Sequence, residues 1–306
     1  MPSTEPLAFL AGQILPQSQA HLTLHDAGFV MGATVTDLCR TFHGRLYRWQ
    51  DHLERFGRSC QKASLSAGFS ESEITARAEE LVNHNLHILG PGAELALVMF
   101  ATPGPIGYYL GEPGGAGDGP GTFGMHTFPL PWERYRRWVE QGVSLVVPSI
   151  QQIPGESVDP HIKHRSRMHW WLADREAGRV EPGSLALLLD ADGCVTETAA
   201  ANFLIVRGGT VFSPPRQNIL HGVSLTVVRE LCHDLAIPFV ERPLTIDDCL
   251  SADEAMLAST PYCLVGVSRI QGRAIGFPGA ILRRLLGRWS EIVGVDIHRQ
   301  IATGTP

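Results

Sequence analysis

The feature that most restricts how this chain can fold is a break near its middle. Between residues 111 and 124 glycine and proline dominate, and Pro129-Leu130-Pro131 follows a short apolar run at 125–128. Such a composition propagates neither a helix nor a central strand. The chain is therefore expected to divide there, into domains 1–130 and 131–306, and its length of 306 residues independently fits two domains. Ahead of the break, Ala8-Phe9-Leu10 and Gln13-Ile14-Leu15 flank Gly12 as a hairpin. Helical spacing over 51–63 puts Leu53, Phe56 and Cys60 on one face. A second helix over 74–89 is opened by Ser70-Glu71-Ser72-Glu73 and closed by Gly90-Pro91-Gly92. The unbroken apolar run at 95–101 has buried-strand length. Beyond the break, strands are expected at 143–147, 185–189 and 203–206, helices at 168–177 and 223–235, and a hairpin turn at Gly208-Gly209. The class is α+β or α/β in two domains, each with mostly antiparallel sheet.

Charge and cysteine usage exclude several functions. The formal net charge of −6 comes from interleaved acidic and basic residues with no basic stripe, so nucleic acid is not an expected partner. No run approaches the roughly 20 apolar residues needed to span a bilayer. The first ten residues lack the basic start and apolar run of a signal peptide. Six scattered cysteines form no CxxC pair and no His/Cys cluster at ligand spacing, so no metal is expected, and reduced thiols in a cytoplasm fit best.

The 25 basic residues comprise 23 arginines and two lysines, Lys62 and Lys163. Only lysine carries an amine that can lose its proton and attack a carbonyl. Lys62 ends a helical pattern and reads as a solvated position. Lys163 lies just before a helix in Asp159-Pro160-His161-Ile162-Lys163-His164-Arg165-Ser166-Arg167-Met168. Cationic neighbours disfavour the ammonium and favour a nucleophilic amine; a basic, anion-binding loop is the alternative reading of the same residues.

Four further stretches carry chemistry. In Thr196-Glu197-Thr198-Ala199-Ala200-Ala201-Asn202-Phe203 a lone carboxylate stands among small and apolar residues, costly unless a cation such as a protonated pyridine nitrogen meets it. Leu220-His221-Gly222-Val223-Ser224 enters a helix whose first N–H groups suit a phosphate. Ser259-Thr260-Pro261 is a small-residue turn able to add hydroxyl and amide donors. His52-Leu53-Glu54-Arg55-Phe56 puts Arg55 on a helix, with a guanidinium able to grip phosphate in a bidentate manner. Each has a bland explanation alone.

In their order, HxxR, then lysine, then the Thr-Glu run, then the Gly-Val-Ser turn, then Ser-Thr, these stretches resemble the fold-type IV, or class IV, pyridoxal 5′-phosphate (PLP) enzymes. That group holds branched-chain and D-amino-acid aminotransferases and 4-amino-4-deoxychorismate lyases. Asp26-Ala27-Gly28-Phe29-Val30-Met31-Gly32 and Ala252-Asp253-Glu254-Ala255 are similar to further motifs of the group, and the resemblance spans about residues 7–296. It implies a smaller N-terminal α/β domain, a larger C-terminal domain with a pseudo-barrel sheet, a site between them and a homodimer. It implies that Lys163 holds PLP as a Schiff base and moves the substrate proton, and that Glu197 pairs with the ring nitrogen. Arg55, the amides of Val223 and Ser224 and the Thr260 hydroxyl would bind phosphate, with Leu220 against the ring.

The pattern departs from the group where a substrate carboxylate is usually held. Ala96 stands in place of the branched-chain enzymes' strand arginine, and Pro103-Gly104 where the D-amino-acid enzymes have Arg-Gly. Pro261 removes a backbone N–H often used for that carboxylate. Arg40, Arg165 and Arg167 are the candidate substitutes. The resemblance implies an aminotransferase acting on an amino acid, of branched-chain type, and a 2-oxo acid. The run from Lys163 to Met168 is also similar to the lyases' K-H-x-N-R-L, which keeps open a lyase releasing 4-aminobenzoate and pyruvate. A non-catalytic PLP-binding protein is the third reading.

Overall fold

A computed structural model of the chain describes residues 5–304. They form two compact units: residues up to Leu130 together with Ile162–Arg167, and Pro131–His161 together with Met168 onward. The hexapeptide 162–167 lies with the first unit because its backbone bonds to a strand there.

The first unit contains β1 (Leu7–Leu10), β2 (Gln13–Pro16), the single turn α1 (Ala27–Val30), β3 (Val35–Phe42), β4 (Arg45–Leu46), α2 (Trp49–Lys62), α3 (Glu71–Leu89), β5 (Leu95–Thr102) and β6 (Thr122–Pro129). All its strand pairs are antiparallel, in the order β2-β1-β6-β5-β3-β4. The β1–β2 turn places Ala11 at φ 48° and Gly12 at φ 87°, the left-handed pair a tight hairpin requires. Helix α3 starts at Ser70, whose hydroxyl accepts from Glu73 N–H while the Glu73 carboxylate accepts from Ser70 N–H. Leu97, Met99, Ala101, Phe123 and Met125 of the sheet pack on Leu53, Phe56 and Cys60 of α2 and Ile74, Ala78 and Leu81 of α3. Each large apolar side chain buried this way contributes roughly 1.5–3 kcal/mol. Strand β3 escapes the periodicity expectations because it is buried along nearly its whole length, so its polar Thr36, Asp37, Arg40 and Thr41 blur any alternation. Strand β6 begins inside the glycine-rich stretch, at Thr122, since Gly124 admits the Phe100 ring where a Cβ would lie 2.5 Å from it.

The second unit contains α4 (Trp132–Gln141), β7 (Val143–Val146), α5 (Met168–Val180), β8 (Leu185–Leu189), β9 (Val195–Thr198), β10 (Ala201–Arg207), β11 (Thr210–Ser213), α6 (Val223–Asp234), β12 (Phe239–Glu241), α7 (Ile246–Leu250), β13 (Glu254–Ser259), β14 (Cys263–Ile270), β15 (Arg273–Ala274), α8 (Ala280–Val293) and α9 (Ile297–Thr303). Six strands close on themselves, β10-β13-β14-β7-β8-β9 and back to β10, which is the pseudo-barrel. The β14–β7 and β7–β8 pairs are parallel and the rest of the ring is antiparallel. Residues 201–206 of β10 are all buried, so this strand is a core element. Helix α8 is fixed to β13 by Glu254, whose carboxylate accepts from Ile281 N–H (2.8 Å) and Leu282 N–H (3.0 Å). Among the described residues no helix is long and apolar enough to cross a membrane.

Candidate active site

The expected site residues fall into one constellation in each unit. In the first, the segment around Lys163 adds a short extended piece beside β3. Thr36 N–H donates to Lys163 C=O (2.8 Å), Arg165 N–H to Thr34 C=O (2.8 Å), and Val35 pairs with His164 as an antiparallel bridge. Lys163 N–H donates to Ser59 Oγ (3.2 Å) on α2. The main chain of Lys163 is thereby pinned between β3 and α2.

Those two elements carry a buried charge network. Asp37 on β3 is fully buried, and His52, Arg55 and Ser59 of α2 are 1%, 5% and 0% exposed. Spaced three and four apart, the three helix residues lie on one face of α2. Arg55 donates from Nε to Asp37 Oδ2 (2.8 Å) and from Nη2 to Oδ1 (2.8 Å), a side-on bidentate pair. His52 Nδ1 lies 2.8 Å from the same Oδ1. Burial by itself would raise the Asp37 carboxyl, but the Arg55 guanidinium, then its hydrogen bonds and those of His52, hold it far below the usual carboxylate range. Burial lowers the proton affinity of His52, partly opposed by Asp37, while the charges of Arg55 and Lys163 lower it further. With its proton affinity lowered from the ordinary value, His52 is a neutral imidazole at pH 7. His164 is held down the same way, by burial and then by Arg167 and Lys163.

In the second unit Glu197 on β9 is 8% exposed. Asn202 donates from Nδ2 to Glu197 Oε2 (3.0 Å) and to Leu220 C=O (3.0 Å), and Leu220 N–H donates to Glu197 Oε1 (3.2 Å). The carboxylate is thus aimed by neutral donors from β10 and from the turn ahead of α6. Gly222 caps α6, and a Cβ there would lie 2.0 Å from Asn202 Oδ1. Only glycine lets the turn close over Asn202 and present the first-turn amides of Val223 and Ser224, which have no intrahelical acceptor. Thr260 is half-buried in the β13–β14 turn, beside Ser259, whose hydroxyl donates to Ala200 C=O (2.6 Å).

The three candidate carboxylate anchors differ. Arg40 is 1% exposed, with its guanidinium 3.7 Å from the Phe42 ring centroid and Nε donating to Thr41 C=O (3.1 Å). It is directed along β3 away from Thr36, although its Cα lies opposite Ala96 of β5. Arg165 is exposed and donates from Nη2 to Thr36 Oγ1 (3.3 Å). Arg167 is half-buried. Asp37 and Asn202 do not stand out as site residues in the sequence, and His52 enters there only as part of a motif. The signal that marks Glu197, a lone carboxylate in an apolar stretch, is present equally at Asp37 in Val35-Thr36-Asp37-Leu38-Cys39 and could have found it.

The donors of each unit fit part of PLP: in the first an amine on an anchored backbone and a preset guanidinium, in the second first-turn helix amides behind a glycine that a Cβ would drive into Asn202, and a buried carboxylate accepting from Asn202 and Leu220. Comparison with known proteins agrees. The sequence profile of the family described as Amino-transferase class IV matches residues 34–270, most of the chain. A Methanocaldococcus jannaschii protein provisionally named as a branched-chain-amino-acid aminotransferase is 27% identical over 93% of this chain and 95% of its own. The D-alanine aminotransferase of Staphylococcus aureus is 27% identical over 90% of this chain and 94% of its own. A branched-chain amino acid aminotransferase of T.th., solved with pyridoxamine 5′-phosphate, superposes with a TM-score of 0.83 at 21% identity, covering 98% of this chain and 97% of its own. The chain belongs to the class IV aminotransferase family. It is a PLP-dependent enzyme of amino-group transfer.

Proposed function

We propose that the enzyme moves an amino group between an amino acid of the branched-chain type and a 2-oxo acid, with Lys163 as its catalytic residue. One observation carries this reading: one of only two lysines has its main chain held by Thr36 of β3 and Ser59 of α2, the elements that carry Asp37 and Arg55. Lys163 Nζ would hold the cofactor aldehyde and then carry the proton to and from the substrate α-carbon. Arg55, the Val223 and Ser224 amides and the Thr260 hydroxyl would bind phosphate. Leu220 would pack on the ring, and Glu197 would keep the ring nitrogen protonated. PLP, when bound, supplies an electron sink for the α-carbon bond. Arg165, whose guanidinium is accessible on Thr36, is a better carboxylate anchor than Arg40, which is committed to Phe42 and Thr41.

The names of the relatives support the branched-chain and D-amino-acid substrate range. A homodimer is supported by apolar side chains exposed between Leu22 and Met31, with Leu24 81% and Phe29 68% exposed. A cytoplasmic setting is supported by six cysteines outside any disulfide, of which Cys39, Cys60, Cys232, Cys249 and Cys263 are buried.

Borohydride reduction of the PLP-loaded protein followed by peptide mass analysis should place the adduct on Lys163. A panel of L- and D-amino donors with 2-oxo acid acceptors should then yield oxo acids. Release of 4-aminobenzoate and pyruvate from aminodeoxychorismate, with no transfer from any donor, would replace transamination by lyase chemistry. An unmodified Lys163 ends the reading.

A further inference from the structure

We propose that Asp37 and His52 are positioning residues that clamp the Arg55 guanidinium so that its geometry, and not its net charge, binds the cofactor phosphate. The proposal rests on the reading of Arg55 as a phosphate ligand. Asp37 takes both Nε and Nη2 of Arg55 at 2.8 Å, which fixes the guanidinium plane and turns the opposite edge, with Nη1, away from the carboxylate. His52 supports the same oxygen from the side, with Nδ1 2.8 Å from Asp37 Oδ1 and 3.3 Å from Arg55 Nη2. Since Asp37 is ionised, the Nδ1 position of neutral His52 carries the proton and donates to it. Its Nε2 is then a bare acceptor, and that atom is buried with no hydrogen-bond partner among the described residues. Leaving one nitrogen of a buried imidazole unmet costs free energy. The hydrogen bond from the other nitrogen offsets that cost and stops the carboxylate rotating away from Arg55.

The clamp makes a prediction opposite in sign to simple electrostatics. Asp37 cancels the charge of Arg55, so if charge alone mattered, Asp37→Asn would tighten the grip on a dianionic phosphate. If the clamp matters, Asp37→Asn lets the guanidinium swing and weakens it. The test compares dissociation constants of PLP and of unphosphorylated pyridoxal, read by visible absorbance and fluorescence. The full-length protein and its variants Asp37→Asn, His52→Asn, His52→Leu and Arg55→Gln are titrated with each. The expected result is that Asp37→Asn raises the PLP constant by about tenfold or more, the range typical of residues that orient a ligand from behind. Pyridoxal affinity should stay nearly unchanged. His52→Asn, whose amide can replace the Nδ1 donor, should retain PLP affinity, and His52→Leu should lose part of it.

Tighter or unchanged PLP binding by Asp37→Asn overturns the proposal. So does an equal loss for PLP and pyridoxal, which would mark a merely structural effect. Where Asp37→Asn does not fold, Asp37→Glu decides: it keeps the charge but displaces the carboxylate by one methylene, and must show the same phosphate-specific loss. If Arg55→Gln leaves the preference for PLP over pyridoxal intact, the reading of Arg55 fails. If Arg55→Gln abolishes that preference and Asp37→Asn does not weaken it, only the clamp fails.

Discussion

The two constellations solve the same problem, holding a carboxylate out of water, in different ways. In the first unit Asp37 meets a full countercharge, a bidentate Arg55 within a nearly solvent-free pocket. In the second, both oxygens of Glu197 are met by neutral donors, the Asn202 amide and the Leu220 N–H. A paired charge inside a protein is strongly held and hard to alter. The first arrangement is therefore built for rigidity, and substitutions at the two constellations should separate stability from activity.

The sharpest break in that comparison is expected from Asp37→Ala. Stranding Arg55 in the core should cost about 3–5 kcal/mol of unfolding free energy, measurable by urea titration of the cofactor-free protein. Glu197→Gln should cost less, about 1–2 kcal/mol, because a neutral donor such as the Asn202 amide or the Leu220 N–H loses its acceptor. Turnover should nevertheless fall by about a hundredfold or more, since the amide cannot hold the ring proton. A Glu197→Gln protein as unstable as Asp37→Ala would dissolve the distinction. Gly222→Ala should cost about 1–3 kcal/mol by forcing a methyl against Asn202 Oδ1, and it should loosen PLP binding through the displaced amides.

The two sides of the Asp37 pair also respond differently to pH. The carboxyl is depressed in the folded state, so its stabilisation is present above the ordinary carboxylate range and is lost only as pH falls below it. His52 is depressed from an ordinary value of 6.5, so the unfolded chain binds its proton first and stability declines as pH falls below that value. His126 and His164 are lowered by burial as well and add to the same window. Unfolding free energy measured from pH 8 to 5 should fall on the acid side, less steeply in His52→Asn, with Asp37 contributing nothing until lower pH. The smallest effect belongs to Lys62→Gln at the exposed end of α2: stability within about 0.5 kcal/mol of wild type and unchanged cofactor absorbance.

Much of the fold was legible wherever a single rule acted alone. The β1–β2 hairpin, α2, α3, β5 and β8 follow from periodicity, turn residues and one capping box. What escaped was buried on both sides or short: β3 with its polar residues inside, β9, and α4, whose start is a proline with no side-chain cap. The return of residues 162–167 to the first unit depends on backbone bonds to Thr34 and Thr36, more than a hundred positions away, and no local pattern encodes those.

By itself the sequence determined the chemistry: a solitary candidate amine at Lys163, a lone carboxylate at Glu197, a glycine before α6 and the order that marks the family. These are matters of residue type, and type is what a sequence states. Only the tertiary structure decided the company each group keeps. It set Asp37 and His52 behind Arg55, Asn202 beside Glu197, and Arg40 over Phe42 instead of toward Thr36. Those choices are made by contacts between distant segments, where burial turns a hydrogen bond or a charge from an option into a requirement.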